Sequence, residues 1–344
     1  MRRLRFAKSN LDIVRPATSC SFATKTDMPE RILIDTDPGH DDAFAILLAL
    51  ASPELDVLGL TTVAGNVPLA VTTANARRVV ELAGRPQTPV YAGSERPLLR
   101  TPMHAADIHG DSGIDGYDWP APVRDHEPAH AVDWMVQLLG EAPEHSVTLV
   151  PLGPQTNIAL LLRRAPHLAA RIRRIVMMGG GFFEGGNYAP AAEFNILVDP
   201  EAAAIVFASG IELVAMPIDC TNRTLTPPEW IADFRALKTP VGDACAGMLA
   251  FFQISGNRKY GTATRPLHDA LAMAYLLWPE LFAGRQCNVE IETNSELTRG
   301  ATVVDWWHRT SRPRNCLWIR DCSDPAELYR RMFERIARLP TLSP

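Results

Sequence analysis

Short apolar runs alternate with longer helical runs along most of the chain. Residues 32–34 predict a buried strand, and an apolar helical run over residues 43–51 follows it. Residues 55–66 predict a second strand, and residues 67–83 predict a second helix. Strands joined by a helix at this spacing indicate parallel pairing, because a parallel connection has to cross back along the sheet.

The same alternation continues towards the C-terminus. Further strands are predicted at 90–91, 145–151, from 174, at 212–219, and, as edge strands, at 289–306 and 315–321. Further helices are predicted from 156, from 199, over most of 220–260, from 268, and over 325–339. The pattern predicts an α/β fold with a mainly parallel central sheet and helices on both faces, and ligands then bind at the carboxyl ends of the strands.

Four carboxylates crowd into eight positions directly after the first strand, around a Pro-Gly turn. They are Asp35, Asp37, Asp41 and Asp42. Carboxylates packed this closely at the end of a buried strand repel one another, so either some are protonated or a cation holds them. Asp41 and Asp42 lie where the next helix begins, and its dipole favours their ionised form by roughly 0.3–1 kcal/mol each. Ionised oxygen ligands suit a hard divalent metal.

Two alternatives to a metal site stay open for this acidic loop. Asp41 is able to cap the helix while the remaining acids are solvated, and a phosphatase-type aspartyl nucleophile also follows a hydrophobic strand. An EF-hand calcium loop is excluded, because its glycine belongs at the sixth position and Gly39 is the fifth residue counted from Asp35.

Polar residues follow further predicted strands, at the edge of the sheet where the acidic loop lies. Asn66 ends the second strand, and residues 152–154 turn the chain after a later one. Residues 93–128 form a long segment rich in Gly, Pro, Asp and His, which is typical of a lid or a binding loop. His109 in this segment is a candidate substrate contact.

A glycine-rich bend after the strand at 174 precedes Asn187, Glu193 and Asn195. A phosphate-binding loop is a weak interpretation of this bend, which lacks the lysine and the helix that should follow directly. Glu193 and Asn195 are two positions apart in a segment that we expect to be extended. Their side chains then point to the same side, as a pair of sugar hydroxyls requires.

His268 and Asp269 stand at the head of an apolar helix. The pair has a structural interpretation, in which Asp269 caps the helix. It also has a chemical one, in which Asp269 is a fifth carboxylate for the metal and His268 transfers a proton. Phe251, Phe252 and Tyr260 precede the pair and are available to line a pocket.

Composition narrows the class of partner to a small molecule. The 344 residues are 47% hydrophobic and carry a net charge of −5 without long charged blocks, which gives no electrostatic case for nucleic acid or an anionic membrane. Six cysteines without a CxxC pair indicate reduced thiols and a cytoplasmic location. No apolar run reaches the roughly 18 residues of a membrane span.

The N-terminal stretch differs from the rest of the chain. Residues 1–27 carry six Arg or Lys against two acids and have no continuous apolar core, so they do not form a secretory signal. They leave open a transit peptide or, as we expect, a disordered extension over residues 1–28 with a natural start near Met28. No repeat divides the remainder, so residues 29–340 are expected to form a single catalytic domain.

Five segments resemble, in order and in register, the inosine–uridine-preferring nucleoside hydrolase family. They are DTDPGHDD, VAGN, LGPQTNIA, MGGG with the later NYAPAAEFN, and PLHDALA. The likeness runs from about Arg31 to the C-terminal helix. It implies a nucleoside hydrolase-like fold, hydrolysis of the N-glycosidic bond of ribonucleosides to free base and ribose, and a homodimer or homotetramer.

The resemblance also implies a bound calcium ion and a set of site residues. The calcium ligands are Asp37, Asp42, the main-chain oxygen of Leu152, and Asp269. Asp37 is also the general base for the calcium-bound water, and His268 protonates the departing base. The ribose is held by Asp41, Asn66, Asn187, Glu193 and Asn195. Tyr260 resembles a base-contacting tyrosine of pyrimidine hydrolases, which suggests a pyrimidine preference.

Two further functions stay open on the sequence. One is a non-catalytic nucleoside-binding or sugar-binding homologue, against which the intact Asp37 and His268 argue. The second is a metal-dependent phosphohydrolase that uses Asp35 or Asp37 as its nucleophile. It would need magnesium and a lysine near the site, and the sequence offers no convincing lysine.

Overall fold

The computed structural model describes residues 28–260 and 264–340, apart from the side chains of 255–260. Its strands are β1 (Glu30–Thr36), β2 (Leu55–Thr62), β3 (Val90–Ala92), β4 (Val147–Pro151), β5 (Ile172–Met178), β6 (Leu213–Met216), β7 (Phe282–Cys287), β8 (Val289–Ile291), β9 (Thr302–Val304) and β10 (Cys316–Cys322). Its α-helices are α1 (His40–Leu50), α2 (Leu69–Leu82), α3 (Ala106–His109), α4 (Ala131–Glu141), α5 (Thr156–Arg164), α6 (Phe194–Val198), α7 (Pro200–Phe207), α8 (Ile218–Thr221), α9 (Trp230–Ala236), α10 (Pro240–Tyr260), α11 (His268–Leu277) and α12 (Pro325–Ile336). Pro166–Arg171 and Pro279–Leu281 are short 3₁₀ helices.

Eight of these strands form one sheet in the order β3-β2-β1-β4-β5-β6-β10-β7. Within it every neighbouring pair is parallel except β10 and β7, which are antiparallel. Strands β8 and β9 form a separate antiparallel pair. The prediction of a mainly parallel α/β sheet is confirmed.

Helices cover both faces of the sheet, as the apolar runs predict. Successive side chains of a strand point to opposite faces, and β1 shows the consequence. Ile32 and Ile34 pack into a core shared with α1, α2, α10, α11 and α12, whereas Leu33 packs into a second core with α4, α5 and α7. All three side chains are fully buried, so β1 lies at the centre of the domain.

The strand order brings the predicted polar residues together. Strands β2, β1, β4, β5 and β6 are consecutive neighbours, and all five run in the same direction. Asp37, Asn66 and Leu152 each follow the last residues of one of these strands. The carboxyl edge of the sheet therefore carries the candidate site, as parallel sheets generally do.

The prediction of an edge strand at 315–321 is wrong. Strand β10 lies inside the sheet, parallel to β6 and antiparallel to β7. Trp318 and Ile319 are buried there, which an edge position would not require. The edge is formed by β7, which pairs with β10 alone.

Among residues 28–260 and 264–340, no helix combines the length and the apolar character needed to cross a membrane.

Candidate active site

The acidic loop is locked to the start of α1 by its own side chains. The Asp42 carboxylate accepts a hydrogen bond from the amide of Gly39 at 2.9 Å and another from the hydroxyl of Thr36 at 2.5 Å. A side chain that reaches back to the amide before the helix satisfies a donor that the helix leaves open. Helix α1 therefore begins at His40, three residues earlier than predicted, with Asp41 and Asp42 in its first turn.

The Asp37 side chain is buried beside this turn, and its two carboxylate oxygens have different surroundings. Its Oδ2 accepts the backbone amide of Asn66 at 2.7 Å, and the Asn66 side-chain amide donates to the Asp37 carbonyl at 3.1 Å. Its Oδ1 is buried and receives no hydrogen bond from any residue that the structure describes. Gly65 and Gly153 press against the two oxygens so closely that neither position has room for a Cβ atom. An unsatisfied buried carboxylate oxygen requires a proton or a cation.

Three further carboxylates form a buried cluster next to Asp37. Ligand oxygens of Asp41, Asp42 and Asp269 lie within 4.8 Å of one another, and the three residues are at most 5% exposed. Leu267, not Asp269, occupies the N-cap position of helix α11, and Asp269 lies inside its first turn. The sequence left Asp269 as either a helix cap or a further carboxylate of the cluster, and the geometry matches the second.

Electrostatics make this cluster costly without a cation. Burial, together with the charge of Asp42, raises the pKa of Asp37 well above its usual range and raises that of Asp41 to about 7. Burial and the neighbouring acids likewise raise the pKa of Asp269. All ligands on offer are oxygens, which suit a hard divalent cation, so the residues present fit a metal site.

A cavity of about 390 Å³ opens above the cluster. Nine residues predicted for the site line it: Asp41, Asn66, His109, Leu152, Asn187, Glu193, Asn195, His268 and Asp269. Asp37 and Asp42 lie behind this lining, where they are at most 1% exposed. Residues from six separate stretches of the sequence thus meet in a single cavity.

The expectation of an extended segment at Glu193 and Asn195 is wrong, although both side chains reach the cavity. Glu193 caps the short helix α6 by accepting hydrogen bonds from the amides of Asn195 and Ile196. It also accepts the amide of Gly180 at 3.0 Å, and burial raises its pKa to about 7. The two residues are therefore neighbours on a helix start, not alternate positions of a strand.

The main-chain oxygen of Leu152 faces the site. Leu152 is fully buried, and its carbonyl accepts the side-chain amide of Asn195 at 2.7 Å. A carbonyl oxygen has two lone pairs, so one remains for another partner. Asn187 is held through its side-chain oxygen, which accepts the amide of Phe194 at 3.0 Å.

His268 begins helix α11 and touches Thr221 at the end of α8. The distance between its Nδ1 and the Thr221 hydroxyl is 2.6 Å. Burial, and then the charge of Arg265, lowers the pKa of His268 to about 3, so the ring is neutral near pH 7. The hydroxyl contact fixes the orientation of the ring at the cavity wall.

His109 lies on the short helix α3, within the segment predicted to be a lid or binding loop, and is only 7% exposed. Its ring stacks on His40 with centroids 5.4 Å apart, and their Nδ1 atoms are 3.2 Å apart. Burial lowers the pKa of both rings, that of His40 to about 4. Phe252 packs on the same pair, whereas the side chain of Tyr260 lies outside the described residues.

Three residues of this site were not predicted from the sequence. Thr221 follows β6 at the same carboxyl edge, so the strand-end rule was sufficient to find it. His40 lies among the carboxylates of the acidic loop, and nothing in the sequence indicates that it stacks on His109. Arg265 directly precedes the PLHDALA segment and lines the cavity. Nothing in the sequence indicates that this charged side chain is buried.

Comparisons with known sequences agree with this geometry. A family model described as inosine-uridine preferring nucleoside hydrolase matches residues 32–329. The pyrimidine-specific ribonucleoside hydrolase RihA of Photobacterium profundum is 48% identical over 295 residues, which are 86% of this chain and 94% of RihA. An uncharacterized protein of Schizosaccharomyces pombe is 49% identical over 310 residues, 90% of this chain and 100% of that protein.

Solved structures with the same fold include two that cover nearly the whole domain. The purine-preferring ribonucleoside hydrolase from Gardnerella vaginalis superposes with a TM-score of 0.84 at 31% identity, covering 90% of this chain and 98% of its own. The plant nucleoside hydrolase PpNRh1 superposes with a TM-score of 0.83 at 30% identity, covering 90% and 100%.

Proposed function

Because the chain belongs to the inosine-uridine preferring nucleoside hydrolase family, it is a ribonucleoside hydrolase, an N-glycosidase, and we propose that it uses calcium and prefers pyrimidine ribonucleosides. The observation that carries the calcium proposal is the buried carboxylate cluster at the floor of the cavity. The pyrimidine preference is supported by the similarity to RihA, whose name describes a pyrimidine-specific enzyme.

We assign the calcium ligands to Asp37, Asp42, the main-chain oxygen of Leu152, and Asp269. The unbound Oδ1 of Asp37 and the free lone pair of the Leu152 carbonyl support this assignment, as does the crowding of Asp42 and Asp269. When bound, calcium neutralises the cluster and polarises a water molecule and the sugar hydroxyls beside it.

The ribose is held, in this proposal, by Asp41, Asn66, Asn187, Glu193 and Asn195. All five line the cavity. Hydrogen bonds to backbone amides and carbonyls orient four of the side chains, those of Asn66, Asn187, Glu193 and Asn195. Carboxylate and amide oxygens around a sugar also stabilise the positive charge of an oxocarbenium-like transition state.

Asp37 acts as the general base. Its Oδ1 receives no hydrogen bond from the described residues, so beside the assigned calcium contact it keeps a lone pair that accepts the proton of the attacking water. Asn66 holds the second oxygen at 2.7 Å, which keeps the carboxylate from rotating. A base fixed in this way gains from orientation as well as from basicity.

His268 serves the departing base from the cavity wall. Its ring is neutral in the substrate-free site, because burial lowers its pKa to about 3. Negative charge that develops on the base during bond breaking raises the pKa of a nearby imidazole, so the ring takes up a proton and passes it to the base. The phosphohydrolase alternative has less support, since no lysine lines the cavity within the described residues.

Three broader assignments belong to the same proposal. We infer a homodimer or homotetramer, a cytoplasmic location and a role in nucleoside catabolism or salvage. They rest on the family resemblance and on the cysteine pattern of the sequence.

Release of reducing sugar from uridine, cytidine, inosine, adenosine and 2′-deoxyuridine, at saturating calcium, tests the proposed substrate class. Uridine and cytidine are expected to give the highest kcat/KM. 2′-Deoxyuridine is expected to react at least about 100-fold more slowly, because it lacks a hydroxyl that would bind the metal. Equal turnover of inosine and uridine would rule out the pyrimidine preference, and comparable rates on uridine and 2′-deoxyuridine would rule out the assigned sugar contact.

Replacing Gly153 by alanine tests the position of Asp37. A Cβ at Gly153 would collide with the Asp37 carboxylate, so the base or the loop has to move. Displacement of a catalytic group by about 1 Å costs about 100-fold in rate, and we expect that loss in kcat for uridine.

Gly140→Ala is the matched control for Gly153→Ala. Gly140 lies inside helix α4 with open space around its Cα, so alanine is expected to stabilise the protein by about 0.5–1 kcal/mol and leave kcat unchanged. Unchanged kcat in Gly153→Ala would show that the position of Asp37 does not limit turnover.

A further inference from the structure

We propose that Arg265 stabilises the negative charge that a pyrimidine base acquires as its bond to ribose breaks. Arg265 lines the cavity and is only 9% exposed, so its cation is largely removed from water. A fixed charge in such a site acts more strongly on a reacting group than the same charge in solvent. The inference rests on the proposed function and adds to it a residue that acts on the leaving base.

The position of Arg265 relative to the acidic cluster supports this role. Arg265 lies four residues before Asp269, and the residues between them begin as a non-helical segment along the cavity wall. Arg265 lines the same cavity as His268 and His109, and its charge, after burial, contributes to the lowered pKa of both rings. The guanidinium therefore lies on the side of the cavity where these two candidate contacts to the base stand.

The surrounding packing keeps the arginine in place. The Arg265 carbonyl accepts both the amide and the hydroxyl of Thr226, at 3.1 and 2.9 Å. Its guanidinium carbon lies 5.0 Å from the centre of the Phe252 ring, a cation–π arrangement. The same phenylalanine stacks on His109, a predicted substrate contact, with centroids 5.7 Å apart. The charge of Arg265 also contributes to the lowered pKa of His268, after burial, as expected of a near neighbour.

The chemistry of the leaving group explains why a permanent cation is useful here. When the bond between C1′ and N1 breaks, its electron pair stays on the base, and the charge of a uracil anion spreads to its carbonyl oxygens. The oxygen of water bonds to C1′, Asp37 takes one proton from that water, and His268 gives one proton to the base. Asp37 then releases its proton to solvent and His268 takes one up, so the net products are ribose and neutral base. A purine base has N7, which accepts a proton before the bond breaks, whereas uracil has no such nitrogen, because its N1 is bonded to ribose and its N3 already carries a proton. A guanidinium stays protonated at any physiological pH and donates to oxygen anions through a planar fork.

The test compares a poor leaving group with a good one. Uridine and p-nitrophenyl β-D-ribofuranoside share the ribose, but p-nitrophenolate is a stable anion that needs little help to depart. We expect Arg265→Met to lower kcat for uridine by about 100-fold or more, the usual effect of losing one charge-stabilising group. For the p-nitrophenyl riboside we expect a loss of less than about fivefold on the same argument. Arg265→Lys keeps the charge without the fork, and its loss on uridine is expected to lie between these values.

Controls separate this role from a structural one. Arg164→Met removes an exposed arginine of helix α5 that pairs with Asp133, and it is expected to change neither rate. Retained turnover of the p-nitrophenyl riboside by Arg265→Met shows that the ribose site and the metal site are intact. If Arg265→Met does not fold, the same comparison is made with Arg265→Lys, which is expected to lose more rate on uridine than on the riboside.

Two results would overturn the inference. Equal losses on both substrates would mean that Arg265 supports the fold or the ribose site and does not act on the base. No loss on uridine would mean that it has no part in the reaction. A wild-type protein that releases sugar from neither substrate would instead contradict the proposed function itself, and this inference with it.

Discussion

Asp37→Asn is expected to lower kcat for uridine by at least about 1000-fold, since general-base catalysis contributes up to about 10⁴-fold and a metal ligand changes as well. Asparagine keeps the shape of the side chain and can still accept the backbone amide of Asn66 through its carbonyl oxygen. It cannot take a proton from water at neutral pH. Release of reducing sugar at saturating calcium measures the loss, and an Asp37→Ala variant checks that it does not depend on the amide.

Asp35→Asn is the matched control for this experiment. Asp35 lies two residues earlier, is fully buried, and accepts hydrogen bonds from Thr61 at 2.5 Å and Asn157 at 2.8 Å. Burial raises its pKa to about 7, so its neutral form is already accessible, and asparagine matches that neutral form in charge and shape. We expect Asp35→Asn to stay within about tenfold of wild-type kcat, in line with a residue that performs no proton transfer. Turnover that survives in Asp37→Asn and disappears in Asp35→Asn would reverse the two roles.

Much of the fold and the acidic end of the site could be predicted from the sequence, because both depend on local patterns. Alternating strands and helices specify a parallel sheet, and a parallel sheet brings the residues after its strands to one edge. That rule brings Asp37, Asn66 and Leu152 together without any knowledge of side-chain contacts. The carboxylate cluster follows in the same way, since the first turn of α1 carries two of its members.

The features that were missed depend on tertiary contacts. Glu193 caps a helix of only five residues, and a helix this short shows no periodic pattern in the sequence. Strand β10 resembles an edge strand because it lies near the C-terminus, and its position inside the sheet appears only once β6 and β7 flank it. Arg265 could not be assigned to the site from the sequence, because an arginine in a loop is usually exposed. Its burial depends on contacts with Phe252 and Thr226, which come from other segments of the chain.

Removal of calcium is expected to lower the melting temperature of the wild-type protein by about 6 °C. A ligand present at about 1000 times its dissociation constant stabilises the folded state by about 4 kcal/mol, and each kcal/mol shifts the melting temperature of a domain of this size by about 1.5 °C. The physical cause is the cluster of Asp41, Asp42 and Asp269, whose buried charges repel one another without a cation. Thermal unfolding with calcium and with a chelator measures the shift.

Asp269→Asn separates repulsion within the cluster from further effects of calcium. The amide removes one charge, so without metal the melting temperature of the variant is expected to equal or exceed that of the wild type. The rise in melting temperature on adding calcium is expected to be less than half of the wild-type rise. The rise in melting temperature that calcium gives the wild type is also expected to grow from pH 5 to pH 8. The acids hold protons more tightly in the folded, metal-free state than in the unfolded one, with the pKa of Asp41 raised to about 7, so metal-free stability falls as pH rises through this range. A metal-free Asp269→Asn protein that melts far below wild type would show that hydrogen bonds, and not a cation, hold the cluster together.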